Sequence, residues 1–222
     1  YLKIRNTSRF ILGNLSGFNP DAPVDVSQMP ELDRWVLMRL NRLVEKVREA
    51  YENYEYHVIY HAVHNFCVVD LSNFYLDIVK DRLYCEAHDG LKRRSAQTAI
   101  YYVLDAIVRL IAPILAYTAE EIWQFMPHHA AADRESVLFN EMPRVHPAWE
   151  LSAQDVEKWE RLLSVRESVN QALERARGEK RIGKPLEARV TIACGEEMAS
   201  LLSQFKGKLE EYFIVSSVKI ER

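Results

Sequence analysis

The sequence predicts a mainly α fold, an antiparallel helix bundle followed by a small α+β unit, and three observations carry that prediction. Apolar residues recur at three- and four-residue steps over the first two-thirds of the 222 residues, as helices with one buried face require. Glycines and prolines fall between those runs, so long helices are joined by short turns and neighbours run antiparallel. Only after Gly178 does a segment, RIGKPLEARVTIAC, alternate with period two as a strand does.

Taken in order, residues 1–16 read as a first helix, closed by Gly17 and a loop holding Pro20, Pro23 and Pro30. A second runs from about Glu31 to Tyr54 on a stripe of Leu32, Trp35, Val36, Leu40, Leu43, Val44, Val47 and Tyr51. A third covers about Val58 to Tyr84 with Ile59, Val63, Phe66, Phe74, Ile78 and Val79 inside. Beyond Gly90 lies a fourth, built on Ala99, Ile100, Val103, Leu104, Ile107, Val108 and Ile111 and interrupted at Pro113. Thr118 with Glu121 reads as the capping box of a short helix ending near Met126. Residues 1–127 are thus the expected bundle, 128–154 a long crossing loop with VLFNEMP as an extended piece, and 155–222 a C-terminal helix plus a small α+β subdomain. Ser152 and Asp155 cap that last helix, which reaches Gly178. The strand with Ala188, Val190 and Ile192 on one side, a helix over about Glu197–Tyr212 and a strand VKIE follow.

Composition narrows the chemistry. Three scattered cysteines, Cys67, Cys85 and Cys194, form neither a disulfide framework nor a C-x-x-C zinc pair. No apolar run approaches the ~20 residues of a membrane helix, and residues 1–17 are too polar for a signal peptide. A cytoplasmic protein with no membrane partner is the expectation. YLKIRNTSRFILGNL opens mid-pattern with no N-cap and no initiator methionine, as a piece of a longer protein would. The net charge of −3 counts mildly against nucleic acid, since phosphate binding usually leaves a basic footprint. A local basic face can nonetheless sit on an acidic body.

Candidate chemistry lies in four places. His57, His61 and His64 share one helix face, but Val, Ile and Tyr stand where an H-E-x-x-H motif places its glutamate. A half-buried polar face is the simpler reading. On the first helix Ile4, Ser8, Ile11 and Leu15 form the core stripe, while Arg5, Asn6, Arg9 and Gly13 face the other way with Phe10 beside Asn6. Either Phe10 packs under a neighbour and the arginines are solvated, or the face offers cations to phosphates, an amide to a base edge and a ring for stacking. Asp77, Lys80, Asp81 and Tyr84, with Arg82 close by, recur at helical spacing and read as surface ion pairs. Arg175, Arg177, Lys180, Arg181 and Lys184 crowd a helix end, where isolated charges usually mean a solvated turn. No glycine-rich phosphate loop and no nucleophile elbow is present.

Taken together, IRNTSRFILGNL, LDRWVLMRL, YENYEYHVIYHAVHNFCVVDLSNFYLDIVKDRLY, RLIAPILAYTAEEIWQFMP and RIGKPLEARVTI resemble, in order, the region after the catalytic domain of bacterial isoleucyl-tRNA synthetases. The resemblance implies a class Ia anticodon-binding bundle that holds the anticodon stem-loop of the isoleucine tRNA. The RN-x-x-RF aromatic, Phe10, would then lie at the anticodon, with Arg5, Asn6 and Arg9 at base edges or phosphates. Lys80, Arg82, Arg181 and Lys184 are further tRNA-binding candidates, although Lys80 and Arg82 could instead fix the bundle's geometry. HIGH-like and KMSKS-like catalytic signatures and the family's zinc-binding cysteines are absent from these residues. The resemblance therefore implies no cofactor here (ATP, magnesium and zinc belonging to the parent enzyme), no catalysis by this chain alone, a monomer, and the rest of a synthetase as partner. The alternatives are the same module from a valyl-type relative, a helical protein-interaction scaffold, or a metalloenzyme built on the histidine face.

Overall fold

The structure, a computed structural model, describes residues 1–205 and 207–221. It contains two compact units, Tyr1–Leu151 and Ser152–Arg222.

In the first unit the apolar stripes became helices α1 (Leu2–Asn14), α2 (Glu31–Glu52), α3 (Tyr56–Asn65), α4 (Leu76–Cys85), α5 (Leu91–Ile111) and α6 (Ala116–Phe125). The core lies where α2 and α5 meet. Leu32, Val36, Leu40 and Val47 of α2 face Ala96, Ala99, Ile100, Val103 and Leu104 of α5, all essentially without exposed surface. Small residues on α5 let the two backbones approach, and each large side chain removed from water contributes about 1.5–3 kcal/mol. Trp35 closes the cluster, meeting the edge of Phe74 at 4.9 Å and 87°.

Between α3 and α4 the chain stays helical but widens. Phe66–Tyr75 is a π-helix, with Leu76 N–H donating to Leu71 O, five residues back. Its buried residues, Phe66, Cys67, Asp70, Leu71, Phe74 and Tyr75, recur every four positions, a longer period than the 3.6 of an α-helix. The continuous α-helix expected over Val58–Tyr84 is thus corrected to three segments. Arg39 of α2 grips Asp70 with two hydrogen bonds, Nε to Oδ1 at 3.0 Å and a terminal nitrogen to Oδ2 at 3.2 Å. Burial pushes the Asp70 carboxyl up from its ordinary range, and the Arg39 charge pulls it part of the way back.

Two expectations for the later elements of this unit also change. Thr118 is not an N-cap. After a turn over residues 112–115 the helix resumes at Ala116, and Leu115 holds the cap position with no side-chain bond. Within VLFNEMP, Val137–Phe139 is a 3-10 turn rather than an extended piece, because Ser136 caps it and Val137 is drawn into the core. Glu120 secures that turn by accepting from Ser136 Oγ at 2.8 Å and Val137 N–H at 3.2 Å. The crossing loop is pinned again by Asn41, whose amide donates to His146 O at 2.9 Å and to Glu150 Oε1 at 2.7 Å while accepting from His146 N–H at 3.0 Å.

The second unit holds α7 (Ala153–Gly178), β1 (Arg189–Ala193), α8 (Glu196–Ser203), α9 (Leu209–Phe213) and β2 (Ser217–Glu221). Ser152 caps α7 by accepting from Asp155 N–H at 3.1 Å. The two strands pair in parallel, Arg189 opposite Ser217 through Ala193 opposite Glu221, so a helical crossover must join them. The helix expected over about 197–212 is split into α8 and α9, and within that span Lys206 lies outside the described residues. Trp159, Phe205 and Tyr212 form the small core, with Trp159 centred 5.5 Å from each of the other two rings.

His128 in the crossing loop is expected to add a pH dependence to the stability of the first unit. Its Nε2–H donates to Trp123 O at 2.9 Å, and Nδ1 is buried with no protein partner. Burial lowers its pKa below the ordinary 6.5. A pKa depressed in the folded state contributes stability that is present above the unfolded value and lost as pH falls through the folded one. The urea midpoint of the first unit is expected to drop between about pH 7.5 and about pH 5.5. His128→Gln, which keeps a donor for Trp123 O, should flatten that dependence; an unchanged slope would rule the histidine out as its source.

Candidate nucleic-acid interface

The opening helix forms as its stripe dictates. Ile4, Thr7, Ser8 and Ile11 are buried against the bundle, which leaves Arg5, Asn6, Arg9 and Gly13 exposed and Phe10 half-buried. Among the described residues neither arginine has an ion pair or a hydrogen-bonding partner for its side chain. Two uncompensated cations therefore sit within one helical turn of an aromatic ring that the core does not use.

That ring lines a shallow depression of about 450 Å³ together with Asn6, Arg9, Gly13, Asn14 and Tyr84. Five of these residues are one stripe of α1, and the sixth comes from the end of α4. A Cβ placed on Gly13 would meet nothing within 4 Å, so the floor is open. Asn14 fixes the helix end by donating from its amide to Phe10 O at 2.8 Å. Gln97 of α5 holds the segment after it, donating to Asn14 O at 2.9 Å and Ser16 O at 3.2 Å.

Two further contacts set where α4 ends relative to α1. Gly17 has φ +72°, a conformation that favours glycine, and lies beside the exposed His88 side chain, whose Nε2 would be 2.6 Å from a Cβ there. Inside the bundle, the fully buried Asp33 of α2 accepts from Tyr75 Oη at 2.7 Å and from Ser95 Oγ at 2.5 Å. Arg82 of α4 reaches the same carboxylate at 3.5 Å with only 11% of its side chain exposed. Burial first, and then the Asp33 charge, push the Tyr75 hydroxyl well above its ordinary pKa, so it stays a donor.

The candidates therefore separate. Arg5, Asn6, Arg9 and Phe10 stand on one exposed face. Arg82 is turned inward and ties α4 to the core, leaving it no free guanidinium to offer a phosphate. Lys80 is paired with Asp77 at 2.7 Å, the expected surface ion pair. Arg181 and Lys184 belong to the second unit, where both are exposed and Arg181 pairs with Glu179 at 3.5 Å. They follow a helix end in which Lys180 takes a left-handed conformation, φ 57°, with Arg181 N–H donating to Ala176 O at 2.9 Å. The histidine row lies along α3, with Tyr60 against His61 and His64. Among the described residues no group of three or more His, Cys, Asp or Glu side chains is placed to hold a metal ion. Nor is any described helix long and apolar enough to cross a membrane. Tyr84, which the sequence placed in the ion-pair row of α4, joins the α1 face through the fold; the signal that could have marked it was an aromatic off the apolar stripe.

A helical bundle presenting bare arginines, amides and an off-stripe ring on one helix has the residue types of a nucleic-acid-binding face. Residues 33–192 match the family described as the anticodon-binding domain of tRNA ligase, and the chain belongs to that family. The chain is 50% identical over 222 residues to the isoleucine–tRNA ligase of Syntrophotalea carbinolica, an alignment covering 99% of this chain and 24% of the relative. The isoleucine–tRNA ligases of Desulforamulus reducens and Natranaerobius thermophilus are 48% and 44% identical over 99% and 100% of this chain, again across 24% of each relative. The chain thus spans about a quarter of the length of the curated relatives it matches. Helix α1 precedes the residues matched by the family but falls within the alignments to these relatives.

Asp33→Asn removes the charge that three inward-facing donors share and leaves the Arg82 cation without that carboxylate. The loss is expected to be about 3 kcal/mol of first-unit stability, as for other broken buried pairs, read from urea denaturation. A loss below about 1 kcal/mol, the scale of an exposed pair, would mean the network does not hold α4 in place.

Proposed function

We propose that this chain grips the anticodon stem-loop of the isoleucine tRNA for a longer isoleucine–tRNA ligase, with α1 as the reading helix. The exposed face of α1 carries the proposal. Among the described residues Arg5 and Arg9 have no counter-charge to give up before meeting a phosphate. Phe10 offers a face on which an unstacked base can lie, and Asn6 offers both a donor and an acceptor to a base edge. Single-stranded loops are read in this manner because their bases are free to leave the helical stack. In this reading the chain is a cytoplasmic recognition module, monomeric and cofactor-free, and the chemistry of aminoacylation belongs to the rest of the synthetase. Arg181 and Lys184 in the second unit would add backbone contacts.

The test is a fluorescence-anisotropy titration with a hairpin carrying the isoleucine anticodon, against the same hairpin with those bases changed. A preference of about tenfold or more is expected, since each base contact is worth about 1–3 kcal/mol. Phe10→Ala should weaken binding to the cognate hairpin by about tenfold. Arg9→Gln should weaken both hairpins alike and lower the salt slope by about one. Equal affinity of the unaltered chain for both hairpins would refute anticodon reading by these residues.

A further inference from the structure

We propose that Gln97 is a specificity-determining positioning residue of this chain: its buried side-chain amide sets the rotation of α1, and with it the match between the α1 face and the bases of the bound RNA loop. The proposal rests on the anticodon reading above and goes further by assigning base selectivity to a residue that the RNA does not reach. Only 1% of Gln97 is exposed.

Apolar contacts seat α1 but leave its rotation loose, because the burial of Ile4 and Ile11 is favourable without being directional. Polar contacts at the helix ends have to fix it. At the start, Tyr1 holds the cap position without a side-chain bond, and no cation stands in the last turn to meet the negative end of the helix. Gln97 meets that end from α5. Its one amide nitrogen donates both to Asn14 O, on the last helical residue, at 2.9 Å and to Ser16 O, in the turn beyond, at 3.2 Å. A fork of two donors fits both carbonyls only at one rotation of the helix end. The Asn14 side chain carries the constraint back one turn by donating to Phe10 O at 2.8 Å.

The arrangement bears on position more than on stability. Asn14 is half-buried and Ser16 exposed, so water can take over their carbonyls if the amide is removed. The helix then survives with its end no longer aimed. Ser95, on the same turn of α5, donates to Asp33, the carboxylate that Arg82 of α4 also reaches. One turn of α5 thus references the ends of both α1 and α4 to a single frame. Base contacts are sensitive to that frame, since a hydrogen bond spans only about 2.7–3.2 Å. The attraction of arginines for phosphates fades over a Debye length of about 10 Å and tolerates the same shift. A rotated α1 therefore keeps its affinity for RNA at large and loses its preference among sequences.

The experiment compares hairpins with the isoleucine anticodon and with altered bases, by fluorescence anisotropy on the 222-residue chain. Gln97→Met keeps the length of the side chain and removes both donors. Its preference should fall from about tenfold to about twofold, with affinity for the altered hairpin and the salt slope unchanged. Gln97→Glu should lose preference in the same way at about pH 8 and regain it at about pH 5.5, where a carboxyl buried among carbonyl oxygens takes up a proton and becomes a donor. The unaltered chain, measured at each pH, is the reference. Thr98→Val, at the next residue of α5, removes the acceptor for Val24 N–H; it should lower the melting temperature and leave the preference intact. A full preference in Gln97→Met, or a weakening of both hairpins alike, overturns the assignment. So does an equal loss of preference in Thr98→Val, because selectivity would then follow stability. If Gln97→Met does not fold, Gln97→Glu decides alone, and no recovery in acid overturns the proposal. If the unaltered chain shows no preference, the assignment falls together with the anticodon reading.

Discussion

Asp33 is a carboxylate with no exposed surface, and the first unit is organised around keeping it satisfied. Taking such a group out of water costs several kcal/mol unless donors surround it. The donors come from three other segments, Tyr75 at the end of the π-helix, Arg82 on α4 and Ser95 on α5. One buried charge therefore fixes the mutual positions of four helical segments. Hydrophobic packing alone would not do this, because Leu and Ile stripes tolerate sliding that a hydrogen-bonded carboxylate does not. Arg82 lies two residues before Tyr84, so the same interaction that closes the core also sets where the end of α4 stands beside α1. A residue that binds no ligand can in this way decide the geometry of the place where a ligand binds.

The π-helix serves the same arrangement. A uniform α-helix from Tyr56 to Cys85 would place Asp70 and Tyr75 at a fixed 100° per residue. With the wider turns, Asp70 meets Arg39 and Tyr75 meets Asp33, both of them on α2. Two polar anchors on α2 thus hold the widened segment at its middle and at its end. The buried Cys67, three residues before Asp70, is inert by comparison, its thiol pushed up to about 12 by burial.

How much of this was legible in the sequence depended on the kind of signal. Apolar periodicity is strong and local, so the stripes of α2 and α5 and the core side of α1 read correctly. The four-residue recurrence from Phe66 to Tyr75 was visible too, but it is close enough to 3.6 to pass for an ordinary helix. Thr118 and Glu121 matched a capping pattern, yet the helix began at Ala116, before Thr118, once the turn over residues 112–115 was complete; a pattern of two residues does not record where the backbone is already helical. Long-range polar partners left no local trace at all. Nothing in the surroundings of Asp33 distinguishes it from a solvated helix-start carboxylate, the role that an acidic residue in a first turn ordinarily has. For the same reason Arg82 looked like a surface cation and Tyr84 like part of an ion-pair row. The α1 face was readable because its evidence is negative and local: a ring where the stripe has no use for one.

The net charge of −3 is compatible with a phosphate-binding face because the relevant quantity is local and uncompensated charge. Several cations of this chain are spent on neighbours: Lys80 on Asp77, Arg39 on Asp70, Arg109 on Asp105 and Arg177 on Glu174. A cation already beside a carboxylate adds little to the field felt by an approaching phosphate and must exchange one partner for another. Arg5 and Arg9 have no such exchange to make. Their charges fall within one turn of each other on a helix whose other side is buried, so the potential they create is directed outward from a single face.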